Sequence, residues 1–182
     1  MRFDSLRHNI ETEFKCLVTK IQYDRLYSLY IDKLINKQHT NIYYSDSQGR
    51  INELRAVLRN RVDESGNTLT FKIEKEAALH EYEKDNGDLY DTEILALLAE
   101  YQIFPPFIKQ GEMTTYRRLV ELPAADLCLD ENHYNGLIDY EIEYELREAT
   151  GDLAAFVALL KNADIEYQAN PLSKYRRFLR SL

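Results

Sequence analysis

The sequence predicts an α+β fold in which antiparallel strands form a β-barrel with a polar interior and helices cover its apolar outside. Three observations lead there. At least six segments alternate apolar and charged residues with period two, as a half-buried strand does. Their charged faces separate by sign from strand to strand, whereas a solvated sheet face mixes signs to avoid like-charge pairs. Between these segments lie helical stretches that each carry one apolar stripe.

The opening strand, at 10–18, sets the pattern. Ile10, Thr12, Phe14 and Cys16 point one way; Glu11, Glu13 and Lys15 point the other. Carboxylates one pleat apart sit roughly 6–7 Å apart at Cα and repel. They are comfortable when solvated, paired with cations or holding a metal ion. Solvation is the ordinary reading of one such strand, and recurrence changes it.

Residues 1–9 are a polar lead-in. Over 21–36 the period becomes helical, with Tyr23, Leu26, Tyr27, Tyr30 and Leu34 on one stripe. A strand at 40–45 ends in the turn cluster Asp46-Ser47-Gln48-Gly49. After mixed signals at 51–58, the strand at 57–62 sets Arg59 and Arg61 on one face. A hairpin turn at 64–67 leads to the strand at 68–75, with Lys72 on its polar side. The run 78–84 repeats spaced carboxylates at Glu81 and Glu83, and 85–88 turns. Asp91 or Thr92 caps a helix over 92–103, stopped by Pro105-Pro106. Strands follow at 108–109, 113–122 and 126–130. Arg117 and Arg118 are adjacent and fall on opposite faces; alternation with Thr115 favours Arg117 for the interior. A turn at 132–136 leads into 137–146, the strongest echo of the opening. There Tyr140, Ile142 and Tyr144 form one face and Glu141, Glu143 and Glu145 the other. Gly151-Asp152 opens a helix with Leu153, Phe156, Val157 and Leu160 at helical spacing. A short strand at 165–168 and a basic segment after Pro171 (Lys174, Arg176, Arg177, Arg180) close the chain. Without a repeat, low-complexity tract or linker, residues 1–182 read as one domain.

The bulk properties agree. A chain of 182 residues supports one sizeable core and is short for two. With 45 % apolar and 12 % aromatic residues it does not belong to the disordered class. A net charge of −8 and a pI near 5.1 exclude broad nucleic-acid or anionic-membrane binding, but not a local basic pocket for a small polyanion. Cys16 and Cys128 lack metal or redox spacing and read as buried thiols of a cytoplasmic protein. No window reaches membrane-span length, and the N-terminus has no apolar signal core.

A polar interior with clustered acids and clustered bases suits one ligand type. The acids bind a hard divalent cation through oxygens, Mg²⁺ or Mn²⁺. The bases bind the phosphates that the cation bridges. Other candidates read as structure. His133 is a surface turn residue, His8, His39 and His80 lack ligand spacing, and Tyr44 and Tyr134 are packing residues. Glu145 extends the acidic face into solvent. Lys174 and Arg177 would by themselves be a solvated basic helix end.

The opening Glu11-x-Glu13-x-Lys15 resembles the signature of the CYTH superfamily, the triphosphate tunnel metalloenzymes. That superfamily includes inorganic triphosphatases, thiamine-triphosphatases, class IV adenylate cyclases and RNA triphosphatases. Further pieces match in order. Asn41-Ile42-Tyr43-Tyr44-Ser45-Asp46 resembles its tyrosine strand, Leu58-Arg59-Asn60-Arg61 its Leu-Arg-x-Arg strand, and Leu69-Thr70-Phe71-Lys72 its Thr-Leu-Lys strand. Thr114 to Arg118 resembles its arginine strand. Leu129-Asp130, with Tyr134 and Gly136, precedes Asp139-Tyr140-Glu141-Ile142-Glu143, and Lys174 and Arg177 resemble the closing basic pair of bacterial members. The resemblance implies an eight-stranded antiparallel tunnel admitting a linear triphosphate. By position it implies a divalent metal on Glu11, Glu13, Glu141 and Glu143. It implies phosphate contacts from Lys15, Arg59, Arg61, Lys72, Arg117, Lys174 and Arg177. Lys15 and Glu81 would take catalytic parts, Glu81 orienting the attacking water. A homodimer is implied as well.

Three activities fit: hydrolysis of inorganic triphosphate or a related triphosphate, cyclisation of ATP, and polyphosphate binding without turnover. Cyclisation needs an adenine pocket and control of the ribose 3′-OH, which no residue here identifies. Both carboxylate pairs would be superfluous in a pure anion binder. Thiamine triphosphate would call for an aromatic cradle, which the tyrosines could supply.

Overall fold

The break in the opening strand organises the chain. In the computed structural model, which describes residues 5–148, 153–170 and 172–182, the run expected at 10–18 is two strands: β1 (Arg7–Glu11) and β2 (Glu13–Val18). The other strands are β3 (Ile35–Asp46), β4 (Val57–Asp63), β5 (Gly66–Lys75), β6 (Ala78–Asp85), β7 (Phe107–Glu121), β8 (Ala125–Tyr134) and β9 (Leu137–Leu146). Counting β1 and β2 as the one strand they were read as gives the expected eight. Five helices accompany them among the described residues: α1 (Lys20–Tyr30), α2 (Arg50–Glu53), α3 (Thr92–Glu100), α4 (Leu153–Lys161) and α5 (Lys174–Arg180). The fold class is the expected α+β with antiparallel strands. No helix among the described residues is long and apolar enough to cross a membrane, which says nothing of strands.

The chain forms two compact units. Unit 1 comprises the chain up to Glu11 with His39–Glu112; unit 2 comprises Thr12–Gln38 with Met113–Leu182. In unit 1 the strand order is β1-β6-β5-β4-β3, every pairing antiparallel. Its turns follow local chemistry. Asp63 Oδ1 accepts from Ser65 N at 2.7 Å, and Gly66 at φ +138° occupies backbone space open mainly to glycine. Leu58, Leu69, Phe71 and Ile73 turn one face of the sheet onto Ile94, Leu97 and Leu98 of α3. Asp91 caps α3 through Glu93 N and Ile94 N, and the helix ends at Glu100, before the expected 103. Asp46 caps α2, its carboxylate accepting from Gln48 N, Arg50 N and Ile51 N. Burial pushes that carboxyl up, and these donors outweigh it to hold it below the usual range.

Unit 2 has the order β7-β8-β9-β2. Leu127, Leu129, Ile142, Tyr144 and Cys16 build its core against Tyr23 and Leu26 of α1 and Phe156, Leu159 and Leu160 of α4. Thr19 and Gln22 form a reciprocal capping box at the start of α1. The helix stops at Tyr30, short of the expected Asn36. A 3-10 turn follows at Ile31–Lys33, and residues from Ile35 are strand. Leu34 still reaches the core from extended backbone, which is why the helical period overran. The turn expected at 132–136 is the two-residue pair Asn135-Gly136, both at positive φ, the signature of a tight hairpin. His133 is therefore a strand residue, not a turn residue, and bonds Glu131 at 2.7 Å. The short strand expected at 165–168 is irregular backbone, with Ile165 buried in the core. The helix opening expected at Gly151-Asp152 and the boundary at Pro171 lie outside the described residues.

Candidate active site

Strand alternation leaves each unit one polar face. In unit 1 that face carries Arg59 on β4, Thr70 and Lys72 on β5, Glu81 on β6 and Glu11 on β1. Register sets Lys72 opposite Glu81 and Arg59 opposite Thr70. Lys72 Nζ bonds Glu11 Oε2 at 2.6 Å and lies 3.0 Å from Glu81 Oε1; Arg59 Nη2 reaches the same oxygen at 3.4 Å. Arg61 donates through Nε to Asn41 Oδ1 at 3.2 Å. Glu11, Arg59, Arg61, Lys72 and Glu81 are thus gathered on this sheet. On its other face His8 Nε2 and His80 Nδ1 make a cross-strand contact of 2.9 Å that residue spacing alone does not reveal.

Unit 2 gathers Glu13, Lys15, Arg117, Glu141, Glu143, Lys174 and Arg177. Register sets Glu13 opposite Glu145, Lys15 opposite Glu143, and Asp130 between Arg117 and Glu141. Arg117, not Arg118, faces this side, as alternation with Thr115 predicts. Its Nε and Nη2 grip both oxygens of Asp130 at 2.8 Å, while Nη2 and Nη1 reach Glu143 at 2.6 Å and Glu145 at 2.9 Å. Lys174 Nζ, delivered by the first turn of α5, sits 2.9 Å from Asp130, 2.9 Å from Glu141 and 2.5 Å from Glu143. Lys15 is paired with Glu13. Arg177, one turn after Lys174, spends its guanidinium on Asp139 (2.7 Å), Glu141 (2.9 Å) and the Leu172 carbonyl (3.0 Å).

Electrostatics follow from this packing. Burial pushes the Glu143 carboxyl up, but Lys174, Arg117 and Lys15 outweigh it and hold the group well below the usual carboxylate range. Burial likewise opposes the charge on Lys174, and Asp130, Glu141 and Glu143 reverse that, raising it well above an ordinary lysine. Lys15 is raised against its burial by Glu13 and Glu143. The Cys16 thiol, on the core side, is pushed up to about 12 by burial, which keeps it an inert thiol.

Six carboxylates (Glu13, Asp130, Asp139, Glu141, Glu143, Glu145) meet four cations (Lys15, Arg117, Lys174, Arg177) in this network. The acceptor oxygens of Glu13, Glu143 and Glu145 lie within 4.8 Å of one another. Three carboxylates are the ligand chemistry of Mg²⁺ or Mn²⁺, so the donor set fits such an ion.

Three members escaped the sequence reading, Asp139 among them, which pairs with Arg177. Glu145, expected in solvent, is bonded to Arg117 and completes the carboxylate cluster. Asp130 is fully buried between two cations. A signal existed: Asp130 interrupts the apolar run Leu127-Cys128-Leu129, where an uncompensated charge would be costly.

In each unit the antiparallel strands present ion-paired acids and bases on one face and an apolar core on the other. The chain belongs to the CYTH family: the CYTH domain model matches residues 9–179. No curated protein matches the chain. Among solved structures it is similar to a Bacillus halodurans protein provisionally described as an adenylate cyclase. The two share 27 % identity and a TM-score of 0.83, over 94 % of this chain and 98 % of that one. It is also similar to HpAC1 from Hippeastrum, provisionally named an adenylyl cyclase and described as having a dominant triphosphatase activity. That match has 20 % identity and a TM-score of 0.77, over 93 % and 95 % of the chains. PH1819 from Pyrococcus horikoshii matches at 18 % identity and a TM-score of 0.67, over 94 % and 99 %. At these last two identities the likeness is one of fold.

Proposed function

We propose that the protein hydrolyses a phosphoanhydride bond of inorganic triphosphate or a related triphosphate, with a divalent metal ion. The observation that carries this reading is the unit 2 network, in which the carboxylates of Glu13, Glu143 and Glu145 converge. Glu13, Glu143 and Glu145 would hold Mg²⁺ or Mn²⁺, which when bound supplies charge neutralisation to phosphate oxygens. Glu141 is saturated by Lys174, Arg177 and Asn170 and would fix α5 and Lys174 in place. The family resemblance implies a metal-binding part for Glu11 too; its carboxylate here is bonded to Lys72 within unit 1.

The cations would change partners. Lys15, Arg117 and Lys174 now neutralise carboxylates, and phosphate oxygens would take over those hydrogen bonds as the carboxylates turn to the metal. By family resemblance Arg59, Arg61 and Lys72 of unit 1 would bind phosphate oxygens, and Glu81 would orient the attacking water. Positioning and charge stabilisation supply most of the catalysis of phosphoryl transfer, so a site of fixed charges is sufficient equipment. ATP cyclisation is the second reading, favoured by the provisional description of the Bacillus halodurans structure.

Phosphate release from inorganic triphosphate and from ATP, with Mg²⁺, Mn²⁺ or EDTA, tests the proposal, with cyclic AMP measured in the ATP samples. Metal-dependent release from inorganic triphosphate is expected, falling at least a hundredfold in Glu143→Gln, since losing a ligand weakens the hold on the ion, whose charge stabilisation of the transition state is worth on the order of 3 kcal/mol. Cyclic AMP as the main product would put the cyclase first; metal-dependent binding without turnover would leave a binding module.

A further inference from the structure

The face of the unit 1 sheet away from Glu11 and Glu81 carries two histidines that the triphosphate reading does not use. His8 on β1 lies opposite Tyr82, and His80 on β6 lies opposite Ile10, so the two histidines are diagonal neighbours across the strand pair. Their nitrogens, His8 Nε2 and His80 Nδ1, meet at 2.9 Å. The ring centroids are 5.1 Å apart and the ring planes differ by 5°. At that separation both nitrogens lie close to the line joining the centroids, so the rings meet edge to edge. Such a contact holds one proton, donated by one neutral imidazole into the lone pair of the other.

Two nitrogens placed to share a proton are also placed to share a metal ion. A zinc-like ion bonds imidazole nitrogen at about 2.0–2.1 Å, so two such bonds hold the nitrogens about 2.9–3.3 Å apart, the lower value for a right angle between them. The observed 2.9 Å is that separation. A small turn of each ring aims both lone pairs at one point without moving the strands. Tyr82 stacks on the His8 ring at 4.5 Å and 16°, which limits the rotamer freedom that binding would have to remove. His8 is exposed and His80 half-buried, so an ion reaches the nitrogens from solvent and keeps water on its other positions. Imidazole suits nickel, copper and zinc, whereas Mg²⁺ and Mn²⁺ prefer carboxylate oxygen.

We infer that His8 and His80 form a second cation site, for a divalent transition metal of the nickel, copper and zinc group, bridging β1 to β6. The site stands independently of the triphosphate reading. Its effect falls on β1, a five-residue strand exposed along most of its length. An ion with one ligand on each strand fastens to β6 the strand that carries Glu11 on its opposite face.

Calorimetric titration of untagged protein with Ni²⁺ tests the site, in excess Mg²⁺ to occupy the carboxylate cluster. The parent should bind Ni²⁺, and its melting temperature should rise with Ni²⁺ concentration. His8→Phe keeps a ring against Tyr82 and removes both nitrogens; His80→Leu removes the other ligand. Each variant should bind Ni²⁺ weaker by about tenfold or more, because a two-point chelate becomes a single contact. In the parent, paramagnetic Ni²⁺ should broaden the ring-proton resonances of His8 and His80 ahead of those of His39 and His133, a reading that needs no variant. Unchanged affinity in both variants, or broadening that spares His8 and His80, would overturn the site. So would a loss of Ni²⁺ binding in Glu143→Gln, which would put the ion on the carboxylates. A parent that binds no Ni²⁺ would reduce the histidine pair to a hydrogen bond.

Discussion

Arg177 shows how a residue can match a family position and be occupied otherwise. Resemblance implied that it contacts phosphate, yet its guanidinium is bound to Asp139, Glu141 and the Leu172 carbonyl. Burial pushes the Asp139 carboxyl up, and Arg177 with Tyr134 and Asn132 brings it below its ordinary 3.8. A carboxyl lowered on folding contributes stability that is present above its unfolded value and disappears as pH falls through the folded one. Arg177→Met should therefore cost about 3 kcal/mol at pH 7, where it strands buried carboxylates. The difference from the parent should narrow as pH falls towards 3.8 and below, where the Asp139 carboxyl takes up its proton. Urea unfolding of both proteins at a series of pH values measures it. A cost independent of pH would mean that Arg177 acts by packing alone. The same residues show what the sequence made legible in the site. Charged side chains in strand alternation announce their face, so Glu13, Lys15, Arg117, Glu141 and Glu143 were readable. Asp130 was less so, since it interrupts an apolar run and only its two cationic partners account for its burial.

At the scale of elements, the hairpin β8–β9 does the most positioning, because it aligns Asp130 with Glu141 and Cys128 with Glu143. A slip of one residue would turn Glu141, Glu143 and Glu145 onto the core side. The register depends on the two-residue turn Asn135-Gly136, with Gly136 at φ +76°. A Cβ on Gly136 would meet nothing within 4 Å, so a substitution there acts through backbone conformation alone. Gly136→Ala should lower stability by about 1 kcal/mol, the cost of a left-handed backbone for an L-residue, seen as a reduced urea midpoint with unchanged slope. Strands were legible in the sequence because the period of two persists through β4, β5, β6 and β9. Boundaries were less so. Helix α1 overran on paper because Leu34 packs at a helical interval from a non-helical backbone, and β1–β2 read as one strand because alternation runs unbroken through Thr12 while the pairing partner changes from β6 to β9.

For the whole molecule, that change of partner raises the question of how many domains there are. Each compact unit is assembled from two separate stretches of chain, since Thr12–Gln38 is inserted between the parts of unit 1. The chain passes between units at Glu11–Thr12, between neighbouring residues of the Glu-x-Glu-x-Lys signature. The family model runs through both units, from residue 9 to 179. We propose that residues 1–182 fold as one domain, because neither unit is a continuous segment that can complete itself ahead of the rest. A linker between independent domains would be exposed and polar, whereas here Leu146 N bonds Thr12 O at 2.9 Å immediately past the crossing point. One cooperative transition is the consequence: far- and near-ultraviolet dichroism should melt together, with equal calorimetric and van't Hoff enthalpies. Mg²⁺ should raise that single midpoint, since an ion that binds only the folded network stabilises everything that unfolds with it. Two resolved transitions, with Mg²⁺ moving only one of them, would mean that the two units are domains in their own right.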